Sequence, residues 1–244
     1  MESLSARELL HAWELGHSRH PVEQSLLLLG AVRPDLDREA LSSLTLSERD
    51  RLLFRLREQM FGTSFAAVSL CPECGERVEL AFRTADVLHD QLGSIPEPID
   101  FQVDGYALRV RRLNSVDLAS AAGLHDLDAA RYFLIERSII SAEQDGRSVH
   151  VSDLPSRVMN FISEQMAEVD AAANIQLRVT CSACAHSWNE TLNITTFLWT
   201  EIEGWAYRTL RDVHQLASTY GWSESEILAM SAWRRHCYLR LIGK

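Results

Sequence analysis

"SLCPECGERVELAF", Ser69–Phe82, reads as a strand, a Cys-x-x-Cys turn and a second strand. Two cysteines cannot close a metal site, so the stretch asks for ligands elsewhere in the chain. "LRVTCSACAHSWNETLNI", Leu177–Ile194, repeats the same grammar about a hundred residues later. A Cys-x-x-Cys turn points both sulfurs to one side and frees backbone N–H groups to bond them. Two such knuckles face to face make a closed S₄ site, the tetrahedral geometry that structural zinc prefers. Cys71, Cys74, Cys181 and Cys184 are therefore the expected ligands of one structural Zn²⁺.

Four thiolates leave no open coordination position, so the expected zinc is a clasp and not a catalyst. Gly75 suits a left-handed turn after the first knuckle; Ala185 stands at the matching place in the second. His186 follows directly and is weighed as a replacement ligand or as a contact to the sulfurs. Disulfides are disfavoured because the acidic amphipathic start "MESLSARELLHAWELG" lacks the marks of an export signal. A cytoplasmic protein is expected. Cys237, between His236 and Tyr238, is expected to be a core or half-buried thiol.

Around the knuckles the pattern is helical. Leu9, Leu10 and Trp13 mark one helix after Ser5, and Pro21 opens a second through "SLLLLGAV". "TLSERDRLLFRLREQMFG", Thr45–Gly62, is a third, with Ser47 as its expected cap. Asp104-Gly105, between alternating runs in "PEPIDFQVDGYALRVRRL", signals a type I′ hairpin. "SVDLASAAGL", "LDAARYFLIERSII" and "LPSRVMNFISEQMAEVDAAA" read as helices, the last opened by Pro155. After Thr195 a long apolar stripe runs to Gly221, followed by short helices capped by Ser223 and Ser231.

The expected fold is α+β: helical N- and C-terminal regions around a discontinuous zinc-ribbon-like β core, with an inserted hairpin and helices. The segments are 1–62, helical; 63–83 with 175–194, the ribbon; 84–174, the insert; and 195–244, the helical tail.

Composition narrows the function. The 244 residues are 46% hydrophobic and 24% charged, ordinary for a globular chain, and no apolar run nears the ~18 residues of a membrane span. A net charge of −10 argues against a nucleic-acid partner, although the tail has a loose helix-turn-helix outline. That tail is locally basic through Arg208, Arg211, Arg234, Arg235, Arg240 and Lys244. Aromatics and arginine dominate interface hot spots, so Trp222, Trp233, Arg234, Arg235, Tyr238 and Arg240 are candidate partner-docking residues. No P-loop, dinucleotide fingerprint, zincin or nucleophile-elbow motif occurs, and no catalytic residues are assigned.

"HPVEQSLLLLGAV", "LSERDRLLFRLREQMFG", "CPECGERVEL", "CSACAHSWNETLNITTFLWTEIE" and "LRDVHQLASTYGWSESEILAMSAWRRHCYLRLI" together resemble a known family. The chain is similar to the baseplate-associated proteins of phage-like contractile injection systems, distantly related to a T4-type phage baseplate hub assembly protein. The resemblance covers nearly the whole chain. It implies a non-enzymatic baseplate component or assembly factor, cytoplasmic or built into the particle, with baseplate, hub or spike proteins of the same gene cluster as partners. The alternative is a zinc-ribbon adaptor in transcription or RNA handling; an enzyme with a metal-stapled core is a third reading.

Overall fold

The computed structural model describes residues 4–88 and 97–242; Pro96 and Lys244 lie outside the described residues. The chain opens with helices α1 (Ala6–Gly16) and α2 (Pro21–Val32), a short α3 (Arg38–Ser43) and α4 (Leu46–Phe61). Ser5 closes a capping box on α1: its Oγ accepts from the Glu8 amide at 3.3 Å, and Glu8 accepts from the Ser5 amide at 2.8 Å. The expected cap of α4 is corrected. Thr45 and Glu48 form the box there, two residues earlier, and Ser47 is carried inside the helix and buried.

Strands β1 (Ser64–Leu70) and β2 (Arg77–Arg83) form the first knuckle hairpin and lead into α5 (Thr84–Val87). Strands β3 (Ile99–Val103) and β4 (Tyr106–Val110) form the next hairpin. Asp104 and Gly105 both take positive φ, 52° and 82°, as a type I′ turn requires. Helices α6 (Ser115–Ala121) and α7 (Leu127–Ser138) follow.

Here the sequence reading needs a second correction, because the helix expected through Ile140 stops at Ser138. Ile139 opens β5 (Ile139–Gln144), which pairs with β4 and turns at Asp145-Gly146 into β6 (Arg147–Ser148). Two consecutive isoleucines favour the pleated surface, where Ile139 and Ala142 reach the core. Asp145 and Gly146 have φ of 51° and 73°, the same turn chemistry as the first hairpin. Helix α8 (Ser156–Val169), β7 (Ile175–Thr180) and β8 (Ser187–Leu192) complete this part. The tail is α9 (Ile194–Tyr220), α10 (Glu224–Ala229) and α11 (Ala232–Ile242). Ser223 caps α10 with Glu226, and the Arg234 amide donates to Ser231 Oγ at 3.2 Å.

The fold is α+β, and it divides into two compact units: residues 1–38 with 194–244, and residues 39–193. Helix α4 thus belongs with the hairpins and not with α1 and α2, unlike the expected boundary at Gly62. In the second unit the sheet β3-β4-β5-β6 buries Tyr106, Leu108 and Val110 on one face, against Val158, Met159 and Ile162 of α8. Phe65 of β1 stacks on Phe82, touches Phe54 of α4, and carries the Arg57 guanidinium 3.8 Å above its ring. Asp117, fully buried at the start of α6, accepts from Arg111 at 2.7 and 2.9 Å and from Arg137 at 2.7 Å. It ties the end of β4, α6 and α7 together.

The first unit buries Leu28, Leu29 and Val32 of α2 and Leu198, Ile202 and Ala206 of α9 in its core. Gly16 is the last residue of α1. Its missing Cβ makes room for the Trp199 ring, which lies where that carbon would stand. Among the described residues, no helix is long and apolar enough to cross a membrane.

Candidate metal centre

The two knuckle hairpins share one register. Six residues before the first cysteine of each lies a buried apolar side chain, Phe65 in one and Ile175 in the other. The last paired positions are Leu70 with Arg77 and Thr180 with Ser187, immediately before Cys71 and Cys181. Within each turn the backbone bonds match. The Cys71 amide donates to Glu76 O at 2.8 Å and the Gly75 amide to Cys71 O at 2.9 Å. The Cys181 amide donates to His186 O at 2.9 Å and the Ala185 amide to Cys181 O at 3.0 Å.

These turns bring the four predicted ligands together. Their sulfurs all lie within 4.8 Å of one another, Cys71 Sγ 3.6 Å from Cys184 Sγ and Cys74 Sγ 3.7 Å from Cys181 Sγ. A tetrahedron with ~2.3 Å metal–sulfur bonds has edges of ~3.8 Å. A disulfide would need ~2.05 Å, and all four cysteines are free. The quartet therefore fits a metal ion and could hold one. Cys71 and Cys181 are buried while Cys74 and Cys184 face solvent, so an ion could enter from one side.

Electrostatics point the same way. The Cys184 amide pulls the Cys181 thiol down to about 7. The Glu76 amide favours the Cys74 thiolate too, but the sulfur of Cys184 and the other neighbours override it and push Cys74 up to about 12. Four thiols this close cannot all ionise without a cation to share.

Neighbouring side chains brace the hairpins. Ser69 Oγ of β1 donates to the Glu190 carboxylate of β8, which also accepts from Trp188 Nε1 at 3.2 Å. His186 stacks on Trp188 with ring centroids 6.1 Å apart, and the sulfur quartet is complete without it. Both residues lie in the knuckle stretches, but nothing in their local spacing announced the Ser69–Glu190 bond, which forms only when the two hairpins meet.

The docking candidates on the tail divide. Trp222 stacks on Tyr220 at 4.5 Å and Tyr238 packs edge-on against it at 4.8 Å, so both serve an internal cluster. Arg235 is a correction to the expected exposed surface: it is buried and its Nη1 donates to Met230 O at 2.6 Å. Cys237, expected to be a core or half-buried thiol, is exposed. Trp233 is 73% exposed, and Arg234 and Arg240 are exposed beside it on α11.

Comparison with known proteins gives one family. No curated protein matches the chain, and no solved structure does. The family model described as T4 bacteriophage base plate protein matches residues 28–199, a span that begins in α2, ends in α9 and includes all four clustered cysteines. Covering well over half of the chain, that match makes it a member of the T4 bacteriophage base plate protein family.

Proposed function

We propose that the protein is a non-enzymatic baseplate component or baseplate assembly factor of a phage tail-like contractile injection system, stapled by one structural zinc ion. The carrying observation is the family match across 28–199. The sulfur quartet supports the zinc, because an all-thiolate set with tetrahedral edges suits zinc and leaves it no site for a substrate. When bound, zinc would neutralise the thiolates and cross-link two hairpins that the chain separates by the β3–β6 sheet and helices α5 to α8. Its partners are other baseplate, hub or spike proteins, met in part through Trp233, Arg234 and Arg240 of α11.

The test is co-purification of a tagged copy from cells expressing the whole gene cluster, with mass spectrometry of intact particles and of the soluble fraction. Recovery with hub or spike proteins in either fraction supports the reading. Metal analysis should find one zinc per chain. Elution from particles and soluble fraction alike without any tail protein would overturn the baseplate role. Retention on heparin at moderate salt would favour the nucleic-acid adaptor instead.

A further inference from the structure

Helix α7 carries more apolar surface than its own core uses. Ile135 enters the core under the sheet, but Leu127, Ala130 and Leu134, spaced i, i+3 and i+7 on the adjoining stripe, do not. They line a groove of about 430 Å³ whose opposite wall is Met166 and Ala167 of α8. Such a volume is that of a ligand or side-chain pocket. Leu127, at the rim, is 85% exposed. Arg131 Nε donates across the groove to Ser163 Oγ at 3.1 Å and so joins the two walls on one side.

The groove wall includes Asp170, just after α8. This residue is only 7% exposed, and its Oδ1 is buried without any hydrogen-bond partner. Burial pushes its carboxyl above the ordinary range, although the Ser47 hydroxyl and amide and the nearby Arg112 charge favour the carboxylate. A buried carboxylate oxygen lacking a donor is costly, and such atoms are rare unless something else completes them. Exposed Asp128, Glu164 and Glu168 stand next to the lining positions on the same two helices. The surface is thus apolar in its floor, acidic at its margin and short of one hydrogen-bond donor inside.

We propose that the α7–α8 groove is a docking site for a basic amphipathic segment of a partner protein, which seats a large apolar side chain against Leu134 and directs a lysine or arginine head at Asp170. Charge complementarity selects this occupant: an apolar ligand alone would bury Asp170 further and leave its Oδ1 without a donor, and an acidic one would be repelled by Asp128, Glu164 and Glu168. A helix laid between two helices with apolar side chains at i, i+3 and i+7 is a common mode of peptide recognition. The identification of the partner as another baseplate protein rests on the proposed function; the chemistry of the segment does not.

A displayed library of random peptides, selected on the full-length zinc-loaded protein, tests the chemistry without any baseplate protein. The expected winners combine large apolar residues at helical spacing with lysine or arginine. They should bind Asp170→Asn at least about tenfold more weakly and lose binding to Ala130→Trp, which fills the groove. Leu127→Ser, at an exposed rim position, should also weaken them while keeping the wild-type melting temperature and zinc content. That variant keeps the test valid should either of the other two fold poorly. Selection of no peptides, or of acidic or purely polar ones, would overturn the proposal, as would winners that bind Leu127→Ser and Asp170→Asn undiminished. A lipid retained in the groove, seen by native mass spectrometry and displaced by Ala130→Trp, would also overturn it in favour of a small apolar ligand. None of these results depends on baseplate assembly, so failure here and failure of the proposed function are separable.

Discussion

Cys71 Sγ and Cys184 Sγ lie 3.6 Å apart although 113 residues separate them in the chain. The other cross-knuckle pair, Cys74 with Cys181, spans 107 residues at 3.7 Å. One ion held by both knuckles would make their contributions inseparable. Cys71→Ser and Cys181→Ser should each lower the melting temperature by at least about 10 °C, and the double variant should melt close to either single one. Chelation of the wild-type protein should lower it similarly and leave both variants almost unaffected. Thermal scans with additive losses would mean that the knuckles do not share a metal.

Gly75 and Ala185 occupy the same place in the two turns, with φ of 74° and 59°. The left-handed region costs a residue with a Cβ about 1 kcal/mol, whereas glycine enters it freely. Ala185→Gly should therefore stabilise the protein by about 0.5 kcal/mol, the gain being reduced by the greater freedom of glycine in the unfolded chain. Gly75→Ala should destabilise it by about 1 kcal/mol. Denaturant titration at saturating zinc reads both, and equal, same-signed shifts would contradict the strain argument.

Burial alone would push the Asp117 carboxyl up, but hydrogen bonds from Arg111, Arg137 and the Asn114 amide outweigh it and hold it below the ordinary 3.8. A carboxyl depressed in the native state binds fewer protons there than in the unfolded chain. Its stabilisation is present above pH 3.8 and is lost as the pH falls through the folded value. Asp117→Asn should cost about 2 kcal/mol at pH 7, a moderate figure because Arg111 and Arg137 keep 30% and 37% of their side chains exposed. Urea titrations down the pH scale should show the gap to wild type constant above pH 4 and closing below it.

Gly16 contacts the Trp199 ring where a side chain would stand, in a core with Leu198 and Ile202 at 0% exposure. Gly16→Ala should cost about 2 kcal/mol through overpacking, although alanine is the better helix former. Trp199→Leu should remove most of that penalty in a double-variant cycle. A stabilised Gly16→Ala protein would show that the ring moves aside freely.

Adjacent arginines on α11 should respond in opposite ways. Arg234 is exposed, with its guanidinium 5.8 Å from the Tyr238 ring centre; Arg234→Glu should leave the melting temperature within about 2 °C of wild type and impair particle assembly. Arg235 is buried against Met230 O, and Arg235→Glu should destabilise the isolated protein by about 3 kcal/mol. Normal assembly with Arg234→Glu combined with Trp233→Ala would return α11 to an architectural role.

Local features were legible in the chain, because they are set by neighbours within a few residues. Ser5 with Glu8 and Ser223 with Glu226 cap their helices through a spacing visible in the chain. Asp104-Gly105 imposes its turn through the positive φ that glycine accepts, and Asp145-Gly146 carried the same signal inside a stretch adjoining what reads as helix. The cysteine quartet was legible for a related reason: each knuckle is local, and only four equivalent thiols exist to be paired. Tertiary structure alone decided what depends on which faces meet. Arg235 is buried and Arg234 exposed because α11 turns about 100° per residue, and nothing in "WRRH" says which arginine faces inward. The room beside Gly16, the orphaned oxygen of Asp170 and the uncovered stripe of α7 likewise arise from long-range packing. A periodic apolar stripe reports that a face will be covered, and packing decides whether the cover comes from the same chain.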